Sequence, residues 1–449
     1  MLCPLWSRDM KRFITFLKQA FMLLKDILTP REWTITGVTF LLSGLLVSSI
    51  FWVDTNSSQE EIEFEALGYS LKVKTENGAN LQPFHTYYYV LYEKVYPQND
   101  RDMVLEVLQE EVPSLHKVSD RGNRFLIDDD DVSLGRMVTI RDVNESLGSG
   151  DWVEIPEHLY SILSIGKRLS IETNSAFNFF VGKLADYWEG LIGDFTYPFD
   201  YENIDPYFNA TERAELERLQ GFIPLSEEEI NTTLELKVED GYFARFNSFN
   251  GATIGDLEIT LGGIAKGYAN DVISSRLTQK RLTHGYISGG QSSNTALGSR
   301  SGNENWTIPM SSPLPSVARA YQIKRPGYFN ISTSGGYEGV PITINGERVW
   351  RHHIINPHDG YPSSVQLHVN VMSNDVSAAE LDALSTALMN MTKEEGKLIR
   401  NAYVASGKEL DIAWIEIIDE SLTIYHTDGF EQYLGKMSEN IYINVDALS

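Results

Sequence analysis

Apolar and polar residues alternate along several stretches of the chain beyond residue 62. Residues 70–75 (SLKVKT) and 87–96 (YYYVLYEKVY) carry the period of two that marks a strand, and residues 234–246 (LELKVEDGYFARF) repeat it. Helical spacing takes over from Pro156 to Trp188, in HLYSILSIGKRLSIE and then AFNFFVGKLADYWEG. TERAELERLQ (211–220) is a further amphipathic helix. A strand-like DLEIT (256–260) runs into the glycine-rich opening of another helix at Leu261. From Ala378 a helix (AAELDALSTALMNM) leads to three strands, DIAWIEII, LTIYHT and IYINV. Glycine clusters punctuate 251–302 and 335–360, and no internal repeat is present.

One apolar run has neither period. Trp33 to Val53 holds no charged residue over 21 positions, enough to span a hydrocarbon core of about 30 Å. Six Lys or Arg precede it, and DTNSSQEEIEFE after it holds none. The positive-inside rule then places residues 1–32 in the cytoplasm, 33–53 in the membrane as a single-pass anchor, 54–62 as a linker and 63–449 as an extracytoplasmic domain. Phe13–Leu28 is an amphipathic helix that either lies on the inner leaflet or packs on the anchor.

Composition narrows the function. Lys and Arg number 37 against 62 Asp and Glu, a net charge of −25, which excludes a nucleic-acid-binding surface. Cys3 is the single cysteine, so neither a disulfide framework nor a cysteine-ligated metal is available. Asp128–Asp131 lacks the glycine and closing glutamate of an EF-hand, and reads as a solvated acidic loop.

Three segments carry candidate chemistry. Leu261-Gly-Gly-Ile-Ala-Lys-Gly-Tyr-Ala-Asn-Asp271 places glycines before a helix N-terminus, where free N–H groups meet a phosphate and Lys266 adds charge. It matches neither the dinucleotide fingerprint nor a P-loop, and on shape alone such a turn is structural more often than not. Asp382 and Thr386, four apart, share a helix face and supply hard oxygen donors suited to Mg²⁺; an aspartate in an early helical turn is also ordinary. His352-His-Ile-Ile-Asn-Pro-His-Asp-Gly360 offers a general base or a positioning histidine, with a plain turn as the alternative.

In order along the chain, these segments resemble the FAD:protein FMN transferase (ApbE) family over roughly residues 62–430. Ser175-Ala-Phe-Asn-Phe-Phe-Val-Gly-Lys-Leu-Ala-Asp-Tyr-Trp188 is similar to the family's G-x-F-D and V-G-x-L…W block, and LGGIAKGYANDV to its D-L-G-G-I-A-K-G-Y-x-x-D core. Gly289-Gly290 with Trp306, Thr333-Ser-Gly-Gly-Tyr337, His353-Ile-Ile-Asn-Pro with Gly360, and Asp382-Ala-Leu-Ser-Thr386 complete the series.

The resemblance implies an α+β, T-fold-like architecture of mixed sheets in two intimately packed subdomains, with FAD in the cleft. It implies an enzyme that splits FAD, its substrate, and attaches FMN to a Ser or Thr hydroxyl of an exported acceptor flavoprotein, releasing AMP with Mg²⁺ as cofactor. Carried over by position, the metal ligands are Asp382, Thr386 and the carbonyls of Ser385 and Gly263. FAD lies against Ala176, Phe177, Asn178, Lys266 and Ile354, with Thr260 at the edge of that pocket; His353 is the base. Phe177, Tyr268 and Tyr337 offer aromatic walls.

The sequence departs from the family pattern at three acidic positions. Thr260 replaces the aspartate before L-G-G, Asn178 that of G-x-F-D, and Asn356 that of the H-I-I-D-P turn. Two other readings therefore stand beside FMN transfer: hydrolysis of FAD to FMN and AMP, and non-catalytic FAD binding at the surface.

Overall fold

Alternation of apolar side chains builds one sheet whose nine strands lie side by side in chain order: β1 (Phe64–Tyr69), β2 (Tyr88–Glu93), β3 (Gly285–Gly289), β4 (Ser293–Leu297), β5 (Tyr328–Gly335), β6 (His368–Ser373), β7 (Asp411–Ile418), β8 (Ser421–His426) and β9 (Ile443–Ala447). Neighbours are antiparallel except β8 and β9, which run parallel with Leu422 opposite Ile443. The computed structural model describes residues 64–69, 73–75, 80–81, 88–93, 97–121, 125–126, 137–194, 201–290, 292–300, 304–311, 313, 319–336, 339–418, 421–436 and 443–447. The proposed anchor at 33–53, its flanks, Asp128–Asp131 and Tyr337 lie outside them. No helix among the described residues is long and apolar enough to cross a membrane.

Both faces of the sheet are apolar and both are covered, so successive residues of one strand enter different cores. In β7, Ile412 and Trp414 join one cluster while Ala413 and Ile415 join another. The second face is closed by a small sheet of Trp306–Ser311, Arg319–Arg325 and Leu434–Lys436. The first face carries the helices α1 (Pro97–Ser119), α2 (Glu157–Glu172), α3 (Gly182–Asp194), α4 (Ala265–Gln279), α5 (Ala378–Met389) and α6 (Lys393–Ala405). α4 lies over β3 and β4, and α5 lies beside α4 over β5 and β6. All of this belongs to one unit, Ile62–Ser449. The resemblance implies two subdomains; the described residues of this unit instead form three hydrophobic clusters that share one sheet.

The strand-like stretch at 234–246 folds back on itself as a hairpin, Leu234–Glu239 against Gly241–Phe246. The helical stretch 156–188 divides into α2 and α3 around a turn in which Asn174 and Ser175 hold positive φ, 48° and 61°. DLEIT does not become a ladder strand. Its one bridge joins Glu258 to Val181. The buried side chain of Asn144 instead satisfies Ile259, donating Nδ2–H to its carbonyl and accepting its N–H, each at 2.9 Å. A side-chain amide thus does the work of a neighbouring strand, which no local pattern announces.

Candidate active site

The glycine motif reaches its functional shape through a missing cap. α4 begins after Ile264, a residue with no side-chain acceptor for the first N–H groups of the helix. Asp382 of α5 supplies it: its Oδ2 accepts the N–H of Gly267 at 3.0 Å. Asp271 of α4 returns the contact, its two oxygens accepting the N–H groups of Ala378 and Ala379 at 2.8 and 2.9 Å in the first turn of α5. Each helix therefore caps the other with a carboxylate. Contact is close enough that a Cβ on Gly267 would overlap the carbonyl of Ala378.

Asp382 is buried, 3% exposed, and its Oδ1 accepts from Ser332 Oγ of β5 at 3.3 Å. Thr386, one turn further along, donates to the Asp382 carbonyl at 3.2 Å. Gly263 sits against it; a Cβ there would lie 3.1 Å from Thr386 Oγ1 and 3.3 Å from the ring of Phe177. Gly263, Phe177, Asp382 and Thr386, distant in sequence, thus meet at the start of α4. The hydroxyl of Ser385 points to the sheet, 2.8 Å from Ser334 Oγ.

This donor set suits a hard cation. It consists of one carboxylate, one hydroxyl and nearby backbone carbonyls, all oxygen. Among the described residues no cluster of three or more His, Cys, Asp or Glu side chains could hold a metal. Asp271 lies at the same helix junction. Burial, aided by the charge of Asp382 and opposed by its two N–H bonds, raises its carboxyl to about 6.

The histidine segment divides its labour. His352 is buried and bonded on both ring nitrogens, and burial lowers its pKa to about 4. His353 is accessible to solvent, and its pKa is lowered first by desolvation and then by the charge of Lys266. It is therefore neutral near pH 7 and able to accept a proton. His358 turns away, with Nε2 3.0 Å from the Asn174 carbonyl, so the three histidines form no metal cluster. Lys266 Nζ donates to the Gly262 carbonyl at 3.0 Å, holding its charge over the glycine turn.

Asn390, the C-cap of α5, donates to the carbonyls of both Ala176 and Ile355 at 2.9 and 3.0 Å. That brings the Ala176–Phe177 segment beside Ile354. Asn178 faces inward instead. Its Nδ2 donates to the Pro224 carbonyl at 2.8 Å and to Ser175 Oγ at 3.3 Å, while its Oδ1 accepts the Phe180 N–H. Thr260 Oγ1 accepts the Gly262 N–H at 3.4 Å, a role an aspartate would share. Asn356 closes its turn by accepting the His358 N–H at 3.1 Å. All three departures from the acidic pattern are thus occupied in turn geometry. Tyr268 donates its hydroxyl to His158 or accepts from it, at 3.0 Å.

Sequence reasoning passed over four contributors. Asp271 stood inside the glycine motif with no assigned role. Ser332 and Ser334 alternate along β5 toward α5, a polar stripe in a buried strand that could have been noticed. Tyr88, fully buried, donates to the Lys266 carbonyl at 2.9 Å, and nothing local marks it.

The fold is a mixed α/β one in which a glycine-rich helix N-terminus meets the buried carboxylate of Asp382. The ApbE family model matches residues 131–406, more than half of the chain. The chain belongs to the ApbE family. Among similar proteins, an FAD:protein FMN transferase of Vibrio cholerae serotype O1 is 29% identical over 184 residues, 41% of this chain and 52% of the relative. One of Klebsiella pneumoniae is 27% identical over 258 residues, 57% of this chain and 69% of the relative. The match to the Vibrio protein therefore spans about half of that relative's length. The solved ApbE protein of Thermotoga maritima superposes with a TM-score of 0.56 at 20% identity, over 83% of this chain and 99% of its own. The flavin transferase ApbE of Vibrio cholerae gives 0.56 at 18% identity, over 83% and 100%. These structures share the fold.

Proposed function

We propose that this protein transfers the FMN moiety of FAD to a Ser or Thr hydroxyl of an acceptor protein. The acceptor oxygen bonds to the phosphorus of the FMN phosphate, the diphosphate P–O bond breaks, AMP leaves with that bridging oxygen, and the hydroxyl proton passes to His353. The observation that carries this reading is the meeting of Asp382, Thr386 and Gly263 at the start of α4. Its relatives bear the name FAD:protein FMN transferase.

Asp382, Thr386 and the carbonyls of Gly263 and Ser385 would hold Mg²⁺. When bound, it neutralises charge developing on the phosphoryl oxygens, which a chain of net −25 otherwise disfavours. Lys266 adds a positive charge at the glycine turn, and the α4 N-terminus offers dipole and N–H groups to the diphosphate. Neutral His353 receives the proton. Ala176, Phe177 and Ile354 form the apolar wall, with Asn178 and Thr260 shaping the turns beside it.

We also propose that residues 33–53 anchor the chain in the cell membrane with the enzyme outside, so that the acceptor is an exported flavoprotein. The uncharged run and its basic N-terminal flank support that orientation.

The test mixes the full-length protein with FAD, Mg²⁺ and an exported flavoprotein domain, with and without EDTA. A fluorescent acceptor band that survives denaturing electrophoresis and vanishes with EDTA is the expected result. AMP release without a labelled band would replace transfer by hydrolysis. FAD bound with no AMP released would overturn the catalytic reading.

A further inference from the structure

The site uses one histidine of a pair, and the other is built into the protein with unusual care. His352 is 3% exposed, and its ring touches two groups of fixed polarity. One nitrogen, Nε2, lies 2.8 Å from the carbonyl oxygen of Ser363, which can only accept. The other, Nδ1, lies 3.1 Å from the backbone nitrogen of Ile354, which can only donate. Together they admit a single form of the imidazole, neutral with its proton on Nε2.

The surroundings are shaped for that ring. A Cβ on Gly336 would overlap His352 Nε2, and one on Gly339 would stand 2.8 Å from His352 Cβ. Ser363, which accepts from the ring, also donates its N–H to the Ile354 carbonyl at 2.8 Å and its hydroxyl to the Met389 carbonyl at 2.5 Å. Ile354 is thereby held at both its N–H and its C=O, and the clasp is fastened to the last turn of α5. That helix also carries Asp382 and, one turn before its end, Thr386.

We infer that His352 is a positioning residue for the reaction: its Nδ1, by accepting the Ile354 N–H, fixes the turn that presents His353 to the acceptor hydroxyl. The inference rests on the reading of His353 as proton acceptor. A placement error of about 1 Å at such a group costs on the order of 100-fold in rate. The geometry also separates the two functions of the ring. An asparagine at 352 places an amide oxygen where Nδ1 stands and keeps the acceptor. A glutamine places its amide near Nε2 and leaves the Ile354 N–H without one.

Three variants, His352→Asn, His352→Gln and His353→Gln, are compared with the wild-type full chain. Each is measured for melting temperature, for kcat and KM of FMN transfer to an acceptor domain with Mg²⁺, and for hydrogen–deuterium exchange of the peptide spanning Ile354. H352N is expected to keep kcat within about threefold and to keep the amide protected, while H352Q loses about tenfold or more in kcat at similar KM and exchanges faster. Equal protection and equal kcat in H352N and H352Q would overturn the inference, as would a kcat that only follows melting temperature across the variants. Full turnover by H353Q would overturn the role of His353 itself. The exchange comparison at Ile354 distinguishes that failure from the failure of the clasp.

Discussion

The carboxylate of Asp382 accepts the backbone N–H of Gly267 at 3.0 Å, so a residue of α5 completes the first turn of α4. Asp271 does the same for α5 from α4. This reciprocal capping links the stability of the helix pair to the geometry of the site, and each half can be probed separately.

Asp382→Asn keeps an oxygen for the Gly267 N–H but removes the charge that would bind Mg²⁺. The variant is expected to fold, with a melting temperature near that of the wild type, and to lose on the order of 100-fold or more of its metal-dependent AMP release. Undiminished release would remove Asp382 from the metal site.

Asp271 titrates in an accessible range. Its carboxyl sits at about 6 in the folded protein against an ordinary value of 3.8, with burial as the main cause. Between these values the folded state binds the extra proton, so its contribution to stability is present at low pH and is lost as pH rises through about 6. Asp271→Asn removes this titration. The melting temperature of the wild type relative to D271N is expected to fall from pH 4 to pH 6 and then level; a flat difference would refute the shift.

Gly267→Ala tests the helix contact. The added methyl would overlap the Ala378 carbonyl, which is backbone and cannot rotate away. The cost is expected at about 3 kcal/mol or more, above the usual overpacking penalty, and to appear as a lowered urea midpoint. An unchanged midpoint would show that α4 and α5 slide apart freely.

Asn178→Asp restores the acid of the family pattern yet removes the two donors that reach Pro224 and Ser175. A loss of about 1–3 kcal/mol in urea denaturation is expected, with no gain in FAD turnover. Higher turnover at unchanged stability would place residue 178 in the FAD pocket instead.

Asp205 and Arg351 form an ion pair with both side chains almost wholly buried, Arg351 Nε lying 2.6 Å from Asp205 Oδ2. Arg351 also stacks over Trp188 and Tyr361, and Trp188 donates to the Gly360 carbonyl at 2.7 Å. Asp205→Ala leaves a buried guanidinium unpaired beneath the His353 turn, and about 3–5 kcal/mol of stability is expected to go with it. Denaturant unfolding of the variant checks this.

The sequence by itself determined the order of strands and helices over much of the chain, because periods of two and 3.6 are written in neighbouring residues. β7, β8, α5 and the strands at 234–246 form where alternation or helical spacing placed them. Short motifs also singled out the glycine turn with Lys266 and the pair Asp382 and Thr386 as candidates, since glycine turns and i, i+4 pairs are local features. Local pattern carries no partner across space, however. That Ile259 pairs with the side chain of Asn144 rather than with a strand, that Asn178 turns inward while His353 faces solvent, and that Asp271 and Asp382 exchange caps was decided only by tertiary structure. Each depends on which backbone groups are left without partners once the helices pack on the sheet, and buried N–H and C=O groups must find acceptors and donors wherever the fold places them.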